Sequence, residues 1–136
     1  MAKMTIGLSS SSIDKLMGAG VILSGAAADD IEVEVFVLVN AAHAFLKNNP
    51  VKDFISDGCQ TAEEFKSACK KVNTPSWIEF FEMAKEMTEV KINICSLAGK
   101  IAGGDTKEDF IDMIDEFCGI GEYIDSATEA DFHVLI

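Results

Sequence analysis

No arginine occurs in this chain of 136 residues: all 11 basic residues are lysine, set against 23 Asp plus Glu, for a formal net charge of -12. Without the planar guanidinium fork, bidentate recognition of phosphate or guanine is missing, and the charge excess repels a polyanion. Nucleic acid and anionic membrane surfaces are therefore poor partners. No apolar run approaches the ~20 residues that a membrane helix needs, and Met1 to Gly7 show no signal-peptide architecture. The expected location is cytoplasmic, where the four cysteines, Cys59, Cys69, Cys95 and Cys118, are expected as reduced thiols. None of them stands in a CxxC, which argues against thioredoxin-type chemistry and structural zinc together. A Walker A sequence is also lacking, and Gly18-Ala19-Gly20 is followed by Leu23 where a dinucleotide fingerprint needs its third glycine. No metal or cofactor is expected.

What is present is an ordinary apolar content, 49% of the chain. A domain near this size buries roughly 68–70% of the surface exposed by its unfolded chain, so residues 1–136 are read as one domain without a staple. Lys3 to Leu8 alternates polar and apolar residues before the serine run Ser9 to Ser12, the pattern of a strand and its loop. Ile13, Leu16, Met17, Leu23 and Ala27 then recur at helical spacing up to Asp30, with Ser12 at the N-cap position and Asp14 in the first turn. The many small residues of this helix (Gly18, Ala19, Gly20, Ser24, Gly25 among them) allow close approach to a sheet.

Ile31 to Val39 is dense in β-branched residues and predicts a second, buried strand, parallel to the first because only a helix separates them. A short helix follows over Ala41 to Lys47. The segment from Asn48 to Asn73, punctuated by Pro50 and Gly58, carries only a weak helical signal between Thr61 and Lys71. Thr74-Pro75 predicts a helix start, and Trp77, Ile78, Phe80, Phe81, Ala84 and Met87 form an apolar stripe wide enough for core packing or for a subunit interface. Val90 to Cys95 is the third strand, Ser96 to Ala102 a short helical turn closed by Gly103-Gly104. Asp105 or Thr106 is expected to cap a helix through Phe117, and a short helix from Gly121 to Thr128 leads into a closing strand, Ala130 to Ile136. This alternation of strand and helix predicts a mainly parallel α/β sheet covered on both faces.

In such sheets ligands gather beyond the carboxyl ends of the strands. Ser9, Ser10 and Ser11, Asn40 and His43, and the turn Cys95-Ser96 are the candidates there. The serine run suits either an anion site or a plain helix cap, and His43 suits either ligand contact or packing. Cys95 ends an apolar strand and precedes small residues that can start a helix, a position that favours thiolate, the nucleophilic form. The alternative for Cys95 is a buried structural thiol. Cys118 stands among Asp115, Glu116 and Glu122, which raise a thiol pKa and count against it as the nucleophile. Cys59, Cys69 and His43 lack any zinc-finger spacing, and His133 reads as structural.

The strand Met4 to Leu8, the serine loop leading into Ile13-Asp14-Lys15-Leu16, the run Ser24-Gly25-Ala26-Ala27-Ala28, and Val33-Glu34-Val35-Phe36 together resemble the DsrE/DsrF-like proteins. Val90-Lys91-Ile92-Asn93-Ile94-Cys95-Ser96 is similar too, with Cys95 where that family commonly places its sulfur-carrying cysteine, as is the ending from Ser126 to Asp131. The resemblance implies a flavodoxin- or DsrE-like three-layer α/β sandwich with a sheet of about five strands. It also implies a homo-oligomer and a role in sulfur trafficking. In that role Cys95 holds a persulfide, received from or passed to a sulfur donor or acceptor protein or a small sulfane-sulfur compound. Some such proteins carry a peroxiredoxin-like label; here the lack of a Thr-x-x-Cys at Cys95 and of any arginine argues against peroxidase chemistry. The alternatives are a non-catalytic oligomeric binding module with a crevice at the strand ends, or a thiol redox sensor. Ten carboxylates and a single Lys lie between Asp105 and Asp131, a pattern that suits a solvated helical face or a docking surface for a basic partner.

Overall fold

The computed structural model of the protein describes residues 2–48, 53–56 and 58–136; Pro50 lies outside them. Five strands form one sheet: β1 (Lys3–Leu8), β2 (Glu32–Val37), β3 (Val90–Cys95), β4 (Glu116–Cys118) and β5 (Phe132–Leu135), in the order β4-β3-β2-β1-β5. Every neighbouring pair is parallel, with Ile6 opposite Val35, Val35 opposite Ile92 and Ile94 opposite Phe117. The strands therefore step in one direction from β1 to β4 and return once to reach β5. Because parallel crossovers are right-handed, that reversal sends the last helix to the opposite face and creates the third layer.

The thick face carries the main core. Helix α1 (Ile13–Ala28) lies over β1 and β2 and packs closely on α3 (Trp77–Met87), while α4 (Ser96–Ala102) packs on β3 and on the 3-10 turn Val39–Phe45. Ile6, Leu8, Val33, Val35, Val37, Ile92 and Ile94 point into it from the sheet, meeting Leu16, Leu23, Phe45 and Phe81 from the helices. Gly20 explains the close α1–α3 approach, since a methyl there would come within 2.8 Å of Phe80 Cβ. The expected use of the small residues is thus realised between helices, at Gly20; Gly18 and Gly25 face open space. The Trp77 stripe is divided: Trp77 packs edge-on against Phe45 and Phe81, whereas Ile78 and Met87 stay exposed.

The weak helical signal after Thr61 is a real helix, α2 (Ala62–Lys71), nucleated by a capping box in which Thr61 and Glu64 satisfy each other's backbone N–H groups. The start of α3 differs from expectation. Ser76, not Thr74, is the cap, exchanging the same reciprocal bonds with Glu79. Ser12 stands at the N-cap of α1, yet its hydroxyl makes no capping bond; it donates to Asp14 and accepts from Ser56 N.

The larger correction concerns residues 105–118. No long helix forms there: Thr106 and Asp109 do make a capping box, but it closes only the turn Lys107–Asp109. The apolar residues Phe110, Met113 and Ile114 are taken into the core instead, and the chain runs back along the sheet to give β4 at the edge. Backbone bonds from Ile111 N to Phe45 O and from Asp115 N to Ile92 O hold it. Lys85 Nζ adds a bond of 2.6 Å to Asp115 Oδ2, which also accepts from Ile92 N. Tertiary pairing outweighs local helical spacing in this stretch.

Among the described residues α5 (Ile120–Glu129) is the one helix on the thin face. Its Tyr123 packs against Phe36 with ring centroids 5.4 Å apart and shares a 2.6 Å hydrogen bond with His133 Nε2. A methyl at Gly7 would fall 2.5 Å from the Tyr123 hydroxyl, so only glycine leaves room for that ring on β1. Ser126 joins a polar network beneath: its hydroxyl lies 2.7 Å from Thr5 Oγ1 and donates to Glu34 Oε1 at 2.9 Å, while Lys3 Nζ reaches the same oxygen at 2.8 Å. Burial pushes the Glu34 carboxyl up, but the bonds from Lys3 and Ser126 outweigh it and hold the group below its ordinary value.

Candidate functional site

The carboxyl edge of the sheet holds two separate groups of the expected residues. Ser9, Ser10, Ser11, Asn40 and His43 come together with Phe54 and Ser56 around a cavity of about 370 Å³. The reason is topological: the loops after β1 and β2 are neighbours because those strands are paired. Much of its hydrogen-bonding capacity is already engaged. Ser9 Oγ donates to Ile136 O, Ser10 Oγ accepts from Ser12 N, and the first amide of α1, Ile13 N, donates to Phe54 O. His43 differs, since its Nδ1 is buried without a hydrogen-bond partner.

His43 and Ser11 also line a second, larger cavity of about 620 Å³ on the thick face, which sequence reasoning did not anticipate. Its walls are apolar (Ile13, Leu16, Phe65, Trp77, Ile78 and Ile111), and Lys66, Lys70 and Cys69 of α2 stand along it. The signal in the sequence was the amphipathic pattern of α2. That helix buries none of its residues fully, and its less polar side borders the cavity.

Cys95 and Ser96 line neither cavity. They belong to the end of β3, beyond the 3-10 turn 39–45 against which α4 packs. Cys95 is the last residue of the strand and the N-cap residue of α4, as expected; its side chain makes no capping bond. It is 9% exposed. Ser96 Oγ donates to Cys118 O at 3.2 Å, tying the first turn of α4 to the end of β4. Cys118 is Cys95's register partner across that ladder. Its thiol is pushed up to about 12, first by burial and then by Glu122, Cys95 and Glu116. The direction agrees with the expectation from its acidic neighbours, but burial is the larger cause. Cys59 is exposed and Cys69 half-buried. Among the described residues no three His, Cys, Asp or Glu side chains gather as a metal site, and no helix is long and apolar enough to cross a membrane.

An all-parallel three-layer sandwich with a thiol at the end of its third strand defines a class of small α/β protein. A profile of the DsrE/DsrF/DrsH-like family matches residues 38–135, well over half of the chain, and the protein belongs to that family. The match takes in β3 with Cys95 and the closing α5–β5 unit. The resembling segments before residue 38, including the serine loop, lie ahead of it. A search of curated proteins finds no match to this sequence.

Proposed function

We propose that the protein is a sulfur carrier of the sulfur-relay kind associated with its family, with Cys95 as the accepting thiol. The observation that supports this most is the position of Cys95: the last residue of a buried strand, at the turn into α4, inside the family-matched span. A Cys95 thiolate attacks the outer sulfur of a donor persulfide, the donor S–S bond breaks, the donor leaves as thiolate, and Cys95 becomes a persulfide. An acceptor thiolate then takes that outer sulfur and restores Cys95.

The donor and acceptor are thiol proteins or small sulfane-sulfur compounds working in a reducing, cytoplasmic setting. Because Cys95 is so little exposed, access to it goes with a partner surface. Leu97 and Ile101 of α4 and Ile120 and Ile124 of α5 are apolar and exposed around this end of the sheet, which supports a homo-oligomer. Light scattering at micromolar concentration should give more than one chain per particle; a monomer counts against that assembly. For the carrier itself, intact-protein mass spectrometry after inorganic polysulfide should show one added sulfur atom, mapped to Cys95 and lost in Cys95→Ser. Unchanged labelling of Cys95→Ser rejects the assignment.

The larger cavity favours a second reading, a binding module whose ligand sits between α1, α2 and α3 and never meets Cys95. Trp77, the single tryptophan, lines it and reports on occupancy. Saturable quenching of its fluorescence by anilinonaphthalene sulfonate supports this reading, and linear, non-saturating quenching speaks against it.

A further inference from the structure

Cys95 and Cys118 are register partners on the last rung of the β3–β4 ladder, the first packed into the main core and the second into the small cluster under α5. Neighbouring strands lie about 4.8 Å apart, and a disulfide spans Cα separations of roughly 4.4–6.8 Å, so the register sets the two Cα atoms within the span of a bridge. Both stand where the backbone can adjust. Cys95 ends its strand at the turn into α4, and Cys118 ends a three-residue edge strand immediately before Gly119. The two also feel each other electrostatically, since the charge of Cys95 is one of the causes that keep the Cys118 thiol protonated. Asn93, two residues before Cys95 and on the same face of β3 by strand alternation, is 5% exposed and has a buried Oδ1 with no hydrogen-bond partner, an acceptor suited to a thiol proton.

We infer that Cys118 is the resolving thiol of Cys95, clearing a persulfide that no acceptor has collected. This rests on the carrier reading for the loading of Cys95. The Cys118 thiolate attacks the inner sulfur of Cys95–S–SH, the persulfide S–S bond breaks, a Cys95–S–S–Cys118 bond forms, and the outer sulfur leaves as HS⁻. The proton given up by Cys118 balances the HS⁻, so that one persulfide and one thiol yield one disulfide and one H₂S. The sulfane sulfur is reduced and the two cysteine sulfurs are oxidised, with no further oxidant. Because Cys118 is held protonated, resolution is slow and an ionised external acceptor takes the sulfur first. The Cys95–Cys118 disulfide marks a carrier that was loaded and not unloaded.

The test uses the full chain and its Cys118→Ala and Cys118→Ser variants, loaded with inorganic polysulfide, desalted, and followed by intact mass and sulfide release. The native protein should pass from one added sulfur to a species two hydrogens lighter than the reduced chain, releasing one sulfide per chain and yielding a Cys95–Cys118 cross-linked peptide. Both variants should hold the added sulfur roughly tenfold longer or more. Equal rates of sulfur loss in all three proteins, or a disulfide to Cys59 or Cys69, overturns the inference. If Cys95 takes up no sulfur in any of them, the carrier reading has failed instead. Diamide oxidation of the native protein then decides the pair by itself: a Cys95–Cys118 bridge sustains it, and its absence refutes it.

Discussion

On one face of the sheet α1, α3 and α4 close over the aliphatic side chains of β1, β2 and β3. On the other, among the described residues, α5 is the one helix over a hydroxyl pair, a carboxylate and the small cluster of Phe36, Cys118 and Tyr123. The first face is held by apolar area and the second by a handful of directional bonds. The contrast separates apolar packing from polar pairing: Cys118 ends its strand on the lightly covered side, Cys95 packs into the main core, and the larger of the two cavities lies on the heavily covered side.

The heaviest blow to that division should come from Phe81→Ala. Phe81 is fully buried and packs against both Phe45 and Trp77, and emptying such a site costs about 3–5 kcal/mol. Urea denaturation should show that loss, while Cys95 in the folded fraction keeps its reactivity. A loss under about 1 kcal/mol would mean that the thick face is not where this fold is held. Gly20→Val tests the same face by overpacking. With Phe80 Cβ so near, it should cost about 1–3 kcal/mol and lower the thermal midpoint.

The thin face should answer more softly. Ser126→Ala strands Thr5 Oγ1 and removes one donor from Glu34, for an expected loss of about 1–2 kcal/mol. A neutral result in denaturant titration would show that water replaces the hydroxyl and that the network is only decorative. The smallest effect is electrostatic. The folded-state pKa of Glu34 is lowered, so its contribution is present above the unfolded carboxylate value, near 4.3, and is lost as pH falls through the folded value. Solvent screening keeps it under about 1 kcal/mol. Stability measured from neutral pH downward should fall less steeply for Glu34→Gln than for the native chain; parallel curves would remove Glu34 from the account.

Much of the candidate site was legible because it depends on local order. Val90 to Cys95 reads as a strand from its alternation, the small residues after it read as a helical turn, and Gly103 supplies the left-handed residue, φ 92°, that ends α4. The acidic stretch was less legible. Its residues divide among a capping turn, the edge strand and α5, and the carboxylates of Asp109 and Asp115 accept from backbone N–H groups, so it is no single solvated helical face. Strand β4 escaped notice because three residues are too few to show a period, and because Phe110, Met113 and Ile114 happen to keep helical spacing.

By itself the sequence determined the layer architecture, the parallel sense of the sheet, the capping pair Thr106 and Asp109, and the place of Cys95 at a strand end. All of these follow from spacings of a few residues, which set local backbone geometry and the side that each residue turns to the core. Only the tertiary structure decided that Cys118 lies opposite Cys95, that His43 stands between two cavities, and that the serine loop gathers apart from the thiols. Those facts depend on strand order and register, fixed by how the whole core closes, and no local pattern encodes which distant segment becomes a neighbour.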